Sequence, residues 1–286
     1  MENKFKPYLL LLPVCIVLIF IMGVGIVNCV SQSLGYFPHI GLNNLTLDYY
    51  KETLMDKTFL KSLMFSLKTS FISSSICIIL GVLLAYILSK DKYSRWKMNL
   101  LNLPIIIPHI VVVIIIFMIF SQSGIVSRIL YNLGIIKDSS DFIHLVSDRN
   151  GIGIILVYLW KGIPFVALTT YNILKNISDS LENVAINLGA NKIQAFRYVV
   201  LPLAMPSIIS SFVILFAFSF GSYEVPFLIG PSTPKTLSVQ AYTTYSSSDL
   251  MQRPMAMCIN TILSVISVII LIIYNKMFEK IYRNKI

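Results

Sequence analysis

The sequence predicts an all-α membrane protein with six transmembrane helices. Of its 286 residues, 56% are hydrophobic and only 13% are charged, whereas a soluble domain carries roughly 25% charged residues because most of its surface faces water. The apolar residues also occur in uninterrupted runs, and a helix needs about 20 such residues to cross a bilayer. Short polar connections separate the runs, so lipid is the solvent that suits this chain.

The six spans are predicted at residues 8–30, 62–89, 99–121, 151–174, 207–229 and 257–275. The first span begins like a signal peptide, with Lys4 and Lys6 ahead of an apolar run. That run is longer than the apolar part of a signal peptide and lacks a small-residue cleavage site, so we expect it to be retained. Pro104 and Pro108 predict kinks in the third span.

Lys and Arg are distributed unequally between the two sets of loops. The set that contains the N-terminus, residues 90–98, residues 175–206 and the C-terminus carries more of them than the alternate set. Positively charged loops tend to stay in the cytoplasm, so both termini and residues 175–206 are predicted to be cytoplasmic. The chain then divides into residues 1–61, an N-terminal helix with its outer loop, and residues 62–286, a five-helix core.

Several other classes of protein do not fit the sequence. The net charge of +10 comes from short clusters between apolar runs, whereas a nucleic-acid-binding face carries its basic residues together. The four cysteines lie in apolar runs without metal-ligand or redox spacing, and there is no G-x-x-x-x-G-K-[ST] phosphate-binding loop. We therefore expect no nucleic-acid partner, no bound metal or cofactor, no catalytic residues and no ATP site on this chain.

Residues 175–206 form a polar segment between two apolar spans. The first half has an apolar face at helical spacing, formed by Leu181, Val184, Ala185 and Leu188. Gly189 is expected to end this helix in a left-handed conformation, and Pro202 and Pro206 are expected to end a second helical segment before the next span. The pattern predicts a helix–turn–helix across the membrane face, which by periodicity alone could equally rest on lipid headgroups.

The run E-N-V-A-I-N-L-G-A in this segment is followed by V-V-L-P ten residues after its glycine. It resembles the EAA loop of bacterial ABC-importer permeases with the MetI-like fold, whose pattern is E-A-A-x-x-x-G and then I-x-L-P. Gly189 takes the glycine position and Ala185 the second alanine position. Leu201 and Pro202 take the final Leu-Pro, and Val199 stands for the isoleucine.

Two positions depart from the family pattern. Asn183 stands where the family has its glutamate and Val184 where it has the first alanine, while Glu182 supplies a carboxylate one residue earlier. In the family, this loop forms a coupling helix that docks into a cleft on a separate ATPase subunit. We therefore expect docking here to depend on apolar burial more than on charge, with Glu182 as a candidate substitute. The resemblance assigns ATPase coupling to Leu181, Glu182, Asn183, Val184, Ala185, Leu188, Gly189, Ala190, Phe196, Leu201 and Pro202.

Three more stretches are similar to counterparts in permeases of the spermidine/putrescine, ferric-iron and phosphonate group. They are L-P-I-I-I-P-H-I at 103–110, W-K-G-I-P-F at 160–165 and F-G-S-Y-E-V-P-F-L-I-G-P at 220–231. The resemblance implies a multi-pass permease of the bacterial cytoplasmic (inner) membrane. Its implied partners are two copies of an ATPase that binds ATP and Mg²⁺, a second permease subunit of a different chain, and an extracytoplasmic solute-binding protein.

Three charged residues fall inside predicted spans, where a charge costs about 2.5–3.5 kcal/mol on insertion scales. Lys68 is near the outer start of the second span, where its long side chain can reach the interface, which leaves Lys161 and Glu224. Glu224 either lines the translocation path or outer gate, or is an interfacial side chain or structural partner. Lys161 lies beside Gly162 and Pro164, which would open the helix locally, so it either supports that break or contacts solute. The candidate pathway or gate residues are Lys161, Pro164, Glu224 and Pro226.

The favoured function is therefore the transmembrane subunit of a binding-protein-dependent ABC importer, which supplies the solute pathway and leaves ATP hydrolysis to partner subunits. The substrates implied by the resemblance are small polar or charged solutes, such as a polyamine, an aminophosphonate, ferric iron or thiamine. One alternative is an ion-driven secondary transporter, although such proteins usually have an internal repeat and intramembrane acidic residues. Another is a membrane scaffold or sensor whose loop merely binds a partner.

Overall fold

The computed structural model describes residues 6–90, 94–176 and 179–283, and within these ranges the chain forms helices and no β-strand. The α-helices are α1 (Lys6–Ser33), α2 (Asp48–Met55), α3 (Lys57–Lys90), α4 (Arg95–Ile106), α5 (His109–Phe120), α6 (Ile125–Asn132), α7 (Ile152–Asn176), α8 (Asp179–Asn187), α9 (Lys192–Ala195), α10 (Leu201–Gly221), α11 (Glu224–Ile229), α12 (Leu237–Tyr245) and α13 (Arg253–Arg283). A π-helical turn, Phe196–Val200, joins α9 to α10.

Six stretches of helix in the described part of the chain are long and apolar enough to cross a membrane, which confirms the predicted number. They are Leu10–Ser33, Lys57–Lys90, His109–Asn132, Ile152–Lys175, Lys192–Gly221 and Leu250–Tyr274. The bounds of the third and fifth differ most from prediction, and in both cases proline is the reason.

The third span begins later than residue 99. Helix α4 contains Pro104 and ends at Ile106, whereas α5 begins at His109. Ile107 between them is extended, with ψ of 128°, a conformation that the steric clash with a following proline ring favours over the helical one. The kink predicted at Pro108 is therefore a full interruption of the helix.

The fifth span begins earlier than residue 207. Helix α9, the π turn and α10 follow one another without a gap, so helical backbone runs from Lys192 to Gly221. The prediction that Pro202 and Pro206 end a helical segment was wrong. Proline normally breaks a helix because its ring clashes with the carbonyl four residues earlier. Here Pro202 directly follows the π turn, whose hydrogen bonds span five residues, and Pro206 lies inside α10, so the helix continues through both prolines.

The helices group into two compact units, one comprising residues 1–60 and 240–266 and the other residues 61–239 and 267–286. In the first unit, the Cys29 sulfur lies 3.6 Å from the Thr261 hydroxyl. The Arg253 guanidinium of that unit lies 3.9 Å from the centre of the Tyr245 ring, a cation–π distance. The division of the chain at residue 61 stays a prediction.

Two hydrophobic clusters form the core of the second unit. One joins α3, α5, α7 and α11, and the other joins α3 and α7 with the π turn and α10. Helix α7 belongs to both clusters and lies very close to α3. A Cβ atom at Gly162 would collide with the sulfur of Cys77, and a Cβ atom at Gly81 would lie 2.6 Å from the Cβ of Val166. These two glycines therefore permit the close packing of α3 against α7.

Candidate functional site

Helix α8 ends in the turn that its sequence predicts. Gly189 has a φ of 98°, a left-handed conformation that only glycine adopts readily. The Gly189 amide donates to the Ile186 carbonyl at 2.9 Å, and the Ala190 amide donates to the Ala185 carbonyl at 3.0 Å. These bonds satisfy carbonyls of the last helical turn. No atom lies within 4 Å of the place that a Cβ at Gly189 would occupy, so backbone conformation, not space, requires glycine there.

The apolar face predicted for α8 lies largely in the open. The exposed fractions are 47% for Leu181, 52% for Val184 and 83% for Leu188. Ala185 is half-buried and Asn183 is exposed. A surface of this kind on one short helix is what helix-in-groove docking uses. Docking of this face onto an ATPase stays a prediction.

Glu182 is turned away from that face and is the buried side chain of α8, with 6% of its surface exposed. One carboxylate oxygen lies 2.5 Å from the Lys90 ammonium, which donates to it. The other oxygen accepts a hydrogen bond from the Tyr86 hydroxyl at 3.1 Å. Both partners belong to the last turns of α3. A nearly buried carboxylate is tolerated only when it is paired and hydrogen-bonded, so this contact fixes α8 to the end of the second span.

The second half of the segment meets the same end of α3. The Phe196 ring lies 4.4 Å from the Tyr86 ring between centroids, at an interplanar angle of 52°. Before it, Asn191 and Gln194 cap the start of α9 reciprocally, each side chain accepting from the other residue's amide at 2.8 Å. Ala190, Phe196, Leu201 and Pro202 are half-buried. The three elements α8, the π turn and the end of α3 therefore form one contact, which we call the Glu182 junction.

Tyr86 and Lys90 were missed by sequence reasoning. They lie four residues apart and so on the same face of a helix. From the sequence, Lys90 is predicted only to contribute to the positive charge that orients the chain in the membrane. Their partner Glu182 follows 96 and 92 residues later. A single sequence carries no signal that connects side chains so far apart, so the Glu182 junction emerges only from the fold.

A cavity of about 260 Å³ lies in the second unit, between α3, α4, α5, α7 and α10. We call it the Lys161 cavity, and its polar lining residues are Ser73, Ser74, His109, Tyr158, Lys161 and Ser219. The Lys161 ammonium donates to the Ile107 carbonyl at 2.8 Å. That carbonyl lacks its helical partner because the Val111 amide bonds Pro108 instead. Lys161 thus bridges the interruption between α4 and α5.

The other three pathway candidates lie elsewhere. Pro164 is buried inside α7, which runs unbroken from Ile152 to Asn176, so the local opening predicted for that helix is not observed. Glu224 is exposed and begins α11, directly after the break that follows Gly221, and Pro226 is buried in the same short helix. Neither Glu224 nor Pro226 lines the Lys161 cavity.

Comparison with known proteins identifies the family. Residues 77–284 match the family model described as the inner membrane component of binding-protein-dependent transport systems. An inner membrane ABC transporter permease protein of Escherichia coli, YdcU, is 32% identical over 120 residues, which are 40% of this chain and 38% of that protein. The molybdate/tungstate permease WtpB of Pyrococcus furiosus is 27% identical over 76% of this chain and 78% of its own. The spermidine/putrescine permease PotB of Haemophilus influenzae is 26% identical over 80% and 79%.

Solved structures agree at the level of the fold. A crystal structure of a bacterial ABC transporter involved in the import of the acidic polysaccharide alginate has a chain with a TM-score of 0.79 and 18% identity, covering 98% of this chain and 96% of that one. The MetNI methionine ABC transporter in an inward-facing conformation gives a TM-score of 0.57 at 19% identity, covering 79% and 99%. The family match over residues 77–284 is what excludes the secondary-transporter and scaffold alternatives. The chain belongs to the family of inner membrane components of binding-protein-dependent transport systems, and is a multi-pass permease of an ABC importer.

Proposed function

We propose that this permease couples solute movement to a separate ATPase through helix α8 and the Glu182 junction. The observation that carries this proposal is the division of α8 into two faces. Leu181, Val184 and Leu188 point outward with large exposed fractions, whereas Glu182 is held against α3 by the Lys90 ammonium and the Tyr86 hydroxyl. One face is available to a partner, and the other is fixed to a membrane-spanning helix.

The mechanism follows from this geometry. Two copies of the ATPase bind ATP and Mg²⁺ and close on each other, and each permease coupling helix moves with the groove in which it is docked. Because Glu182 and Phe196 bind α8 and the π turn to the end of α3, the displacement reaches α3 and α10 rather than only the loop. Packed helices respond to such a push by moving between discrete arrangements, so the pathway opens to alternate sides of the membrane.

The partners extend beyond the ATPase. We infer that a second permease subunit of a different chain completes the pathway and that an extracytoplasmic solute-binding protein delivers the solute. The family description refers to binding-protein-dependent transport, and a related alginate transporter was crystallised with its substrate-bound periplasmic protein. Neither catalytic residues nor an ATP site is assigned to this chain, which carries no phosphate-binding loop in its sequence.

The solute is proposed to be small and polar or charged, in the range of a polyamine, an aminophosphonate, ferric iron or thiamine. The Lys161 cavity supports this by its size. Its volume of about 260 Å³ lies below the roughly 300–1,000 Å³ of pockets for drug-sized ligands. The names of two relatives also refer to the transport of small ions, molybdate/tungstate in one case and spermidine/putrescine in the other.

Reconstitution tests the proposal. The chain, its partner permease, the ATPase and the binding protein would be placed in proteoliposomes loaded with ATP, and uptake of labelled solute would be measured. We expect uptake that requires ATP and the binding protein and that vanishes when the ATPase is omitted. Uptake driven by a proton or sodium gradient without ATP would overturn the proposal.

A further inference from the structure

The walls of the Lys161 cavity contain a positive charge, and the carboxylate of Glu224, outside the lining, is close enough to the lining residue His109 to interact with it electrostatically. Lys161 lines it, and none of its lining residues is Asp or Glu. Among the described residues, the hydrogen-bond acceptor for the Lys161 ammonium is the Ile107 carbonyl, at 2.8 Å. An ammonium has three donors, so this group can donate to a ligand while it still bridges the interruption between α4 and α5.

A second group in the same wall lacks a partner. The Ser74 side chain is 1% exposed, and its hydroxyl has no hydrogen-bond partner among the described residues. Leaving such a group unsatisfied is unfavourable. Ser74 lines the cavity together with Lys161, so an acceptor bound there would satisfy both. The hydroxyl and the charge come from different helices, α3 and α7, which Gly162 holds in close contact.

The remaining polar lining residues differ in their hydrogen bonding, and the Ser73 and Ser219 hydroxyls each donate to a carbonyl of their own helix at 3.1 Å. The Tyr158 hydroxyl donates to the Ser219 carbonyl at a long 3.4 Å, and His109 stacks on Phe218 with ring centroids 5.0 Å apart. Both residues line the cavity and add polar atoms to its wall. A cluster of donors around one ammonium is suited to a group with several acceptor oxygens. A cation would be repelled by Lys161, and a lipid chain would leave both Lys161 and Ser74 unsatisfied.

We propose that the Lys161 cavity binds the oxyanion group of the transported solute, with Lys161 and Ser74 as the principal donors. The inference rests on the proposed transport function and narrows its substrate class to small solutes that carry a phosphonate, phosphate or carboxylate. Among the solutes considered above it selects the aminophosphonate type over polyamines and ferric iron. Lys161 therefore has two functions, one structural at Ile107 and one in solute binding.

Cysteine modification in the assembled transporter tests the charge preference without knowledge of the solute. Ser74→Cys is introduced into a chain whose four native cysteines are replaced by alanine. The variant is treated in turn with an anionic reagent, sulfonatoethyl methanethiosulfonate, and a cationic one, trimethylammonioethyl methanethiosulfonate. Each reaction rate is divided by the rate of the same reagent with free mercaptoethanol, so that the two reagents can be compared. We expect the anionic reagent to be favoured on the order of tenfold. The preference should disappear in the Ser74→Cys/Lys161→Met variant and persist when the exposed Lys68 is changed instead, in Ser74→Cys/Lys68→Met.

Protection against modification tests solute recognition. Methylphosphonate is expected to slow the reaction of Ser74→Cys, and putrescine at equal concentration is expected to leave it unchanged. In the wild-type cysteine background, Ser74→Ala is expected to weaken methylphosphonate binding about threefold and Lys161→Met about tenfold or more. Lys161→Arg, which keeps the charge and the bridge to Ile107, controls for misfolding and should retain the anion preference.

Several results would overturn the inference. They are equal rates for the two reagents, a faster reaction with the cationic one, protection by putrescine, or no reaction at Ser74→Cys both without nucleotide and with a non-hydrolysable ATP analogue. The reconstituted uptake assay separates this failure from failure of the proposed function. ATP-dependent uptake together with a cation-preferring cavity contradicts the oxyanion site alone, whereas loss of ATP dependence contradicts the coupling function.

Discussion

Glu182 is the side chain through which we propose that movement of the ATPase reaches the membrane-spanning helices. Its carboxylate is nearly buried and lies between Lys90 and Tyr86. Glu182→Gln keeps the size of the side chain and removes the charge, so the hydrogen bond from the ammonium loses its ionic component. We expect solute uptake per ATP hydrolysed to fall about tenfold, while the ATPase still co-purifies with the permease and hydrolyses ATP.

The matched control is Glu52→Gln, which removes an exposed carboxylate from α2 and should leave the uptake ratio unchanged. Proteoliposomes in which uptake and phosphate release are recorded together give the measurement. If Glu182→Gln instead lowers both rates in parallel, or removes the ATPase from the complex, then Glu182 acts in assembly or docking and the Glu182 junction does not transmit the motion.

Gly189 tests whether the angle of α8 matters independently of its contacts. A side chain at φ of 98° is strained by about 1–2 kcal/mol, although nothing nearby would clash with it. Gly189→Val should therefore shift the turn, leave the amount of protein in the membrane unchanged, and reduce ATP-dependent uptake about fivefold. Gly134→Val is the control, because Gly134 has a φ of 70° and equally open surroundings but lies outside the coupling segment. Normal uptake by Gly189→Val would contradict the claim.

At the scale of the element, α8 is expected to dock by apolar burial rather than by charge. Hot spots of an interface are side chains that fill pockets and lose solvent, and truncating one typically costs about 2 kcal/mol or more. Val184→Ser with Leu188→Ser should weaken binding of the ATPase at least about tenfold, measured by co-purification or by titration of the ATPase onto permease in nanodiscs. Ile135→Ser, which alters an exposed isoleucine outside the coupling segment, should have no effect.

The asparagine in place of the family glutamate allows a converse test of the same element. Asn183 is exposed beside the apolar face, so Asn183→Glu adds only a solvent-screened charge, and such charges contribute little. ATP-dependent uptake is expected to change by less than about twofold. A large gain in coupling would mean that a charged contact with the ATPase contributes more than burial does.

Element boundaries also show what a single sequence can and cannot predict. The turn at Gly189 was predictable because glycine after an amphipathic helix has a local cause. The continuation through Pro202 was not, because it depends on a π turn whose packing against Tyr86 is a contact between distant parts of the chain. Lys161 was recognised as unusual from its cost in lipid, yet its hydrogen bond to Ile107 requires knowledge of how α7 lies against α4 and α5.

At the scale of the whole molecule, the number of spans and the charge of the loops together predict how the chain is oriented in the membrane. Six helices long enough to span the membrane predict that both termini lie on the same side, and the greater share of Lys and Arg in residues 90–98 and 175–206 predicts that this side is the cytoplasm. The coupling proposal depends on this orientation, because the ATPase needs cytoplasmic ATP. Lys192, at the start of α9, and Lys137, between α6 and α7, are both exposed and should lie on opposite sides of the membrane.

Single cysteines at these two positions decide the orientation. Lys192→Cys and Lys137→Cys are each introduced into the chain whose native cysteines are alanine, and a membrane-impermeant maleimide is added to intact cells and to inside-out vesicles. Lys137→Cys should be labelled in intact cells and Lys192→Cys only in inside-out vesicles, since the bilayer separates two loops joined by α7. The reverse pattern would place α8 outside the cell, away from ATP, and would contradict coupling through the Glu182 junction even though the six-helix fold remained correct.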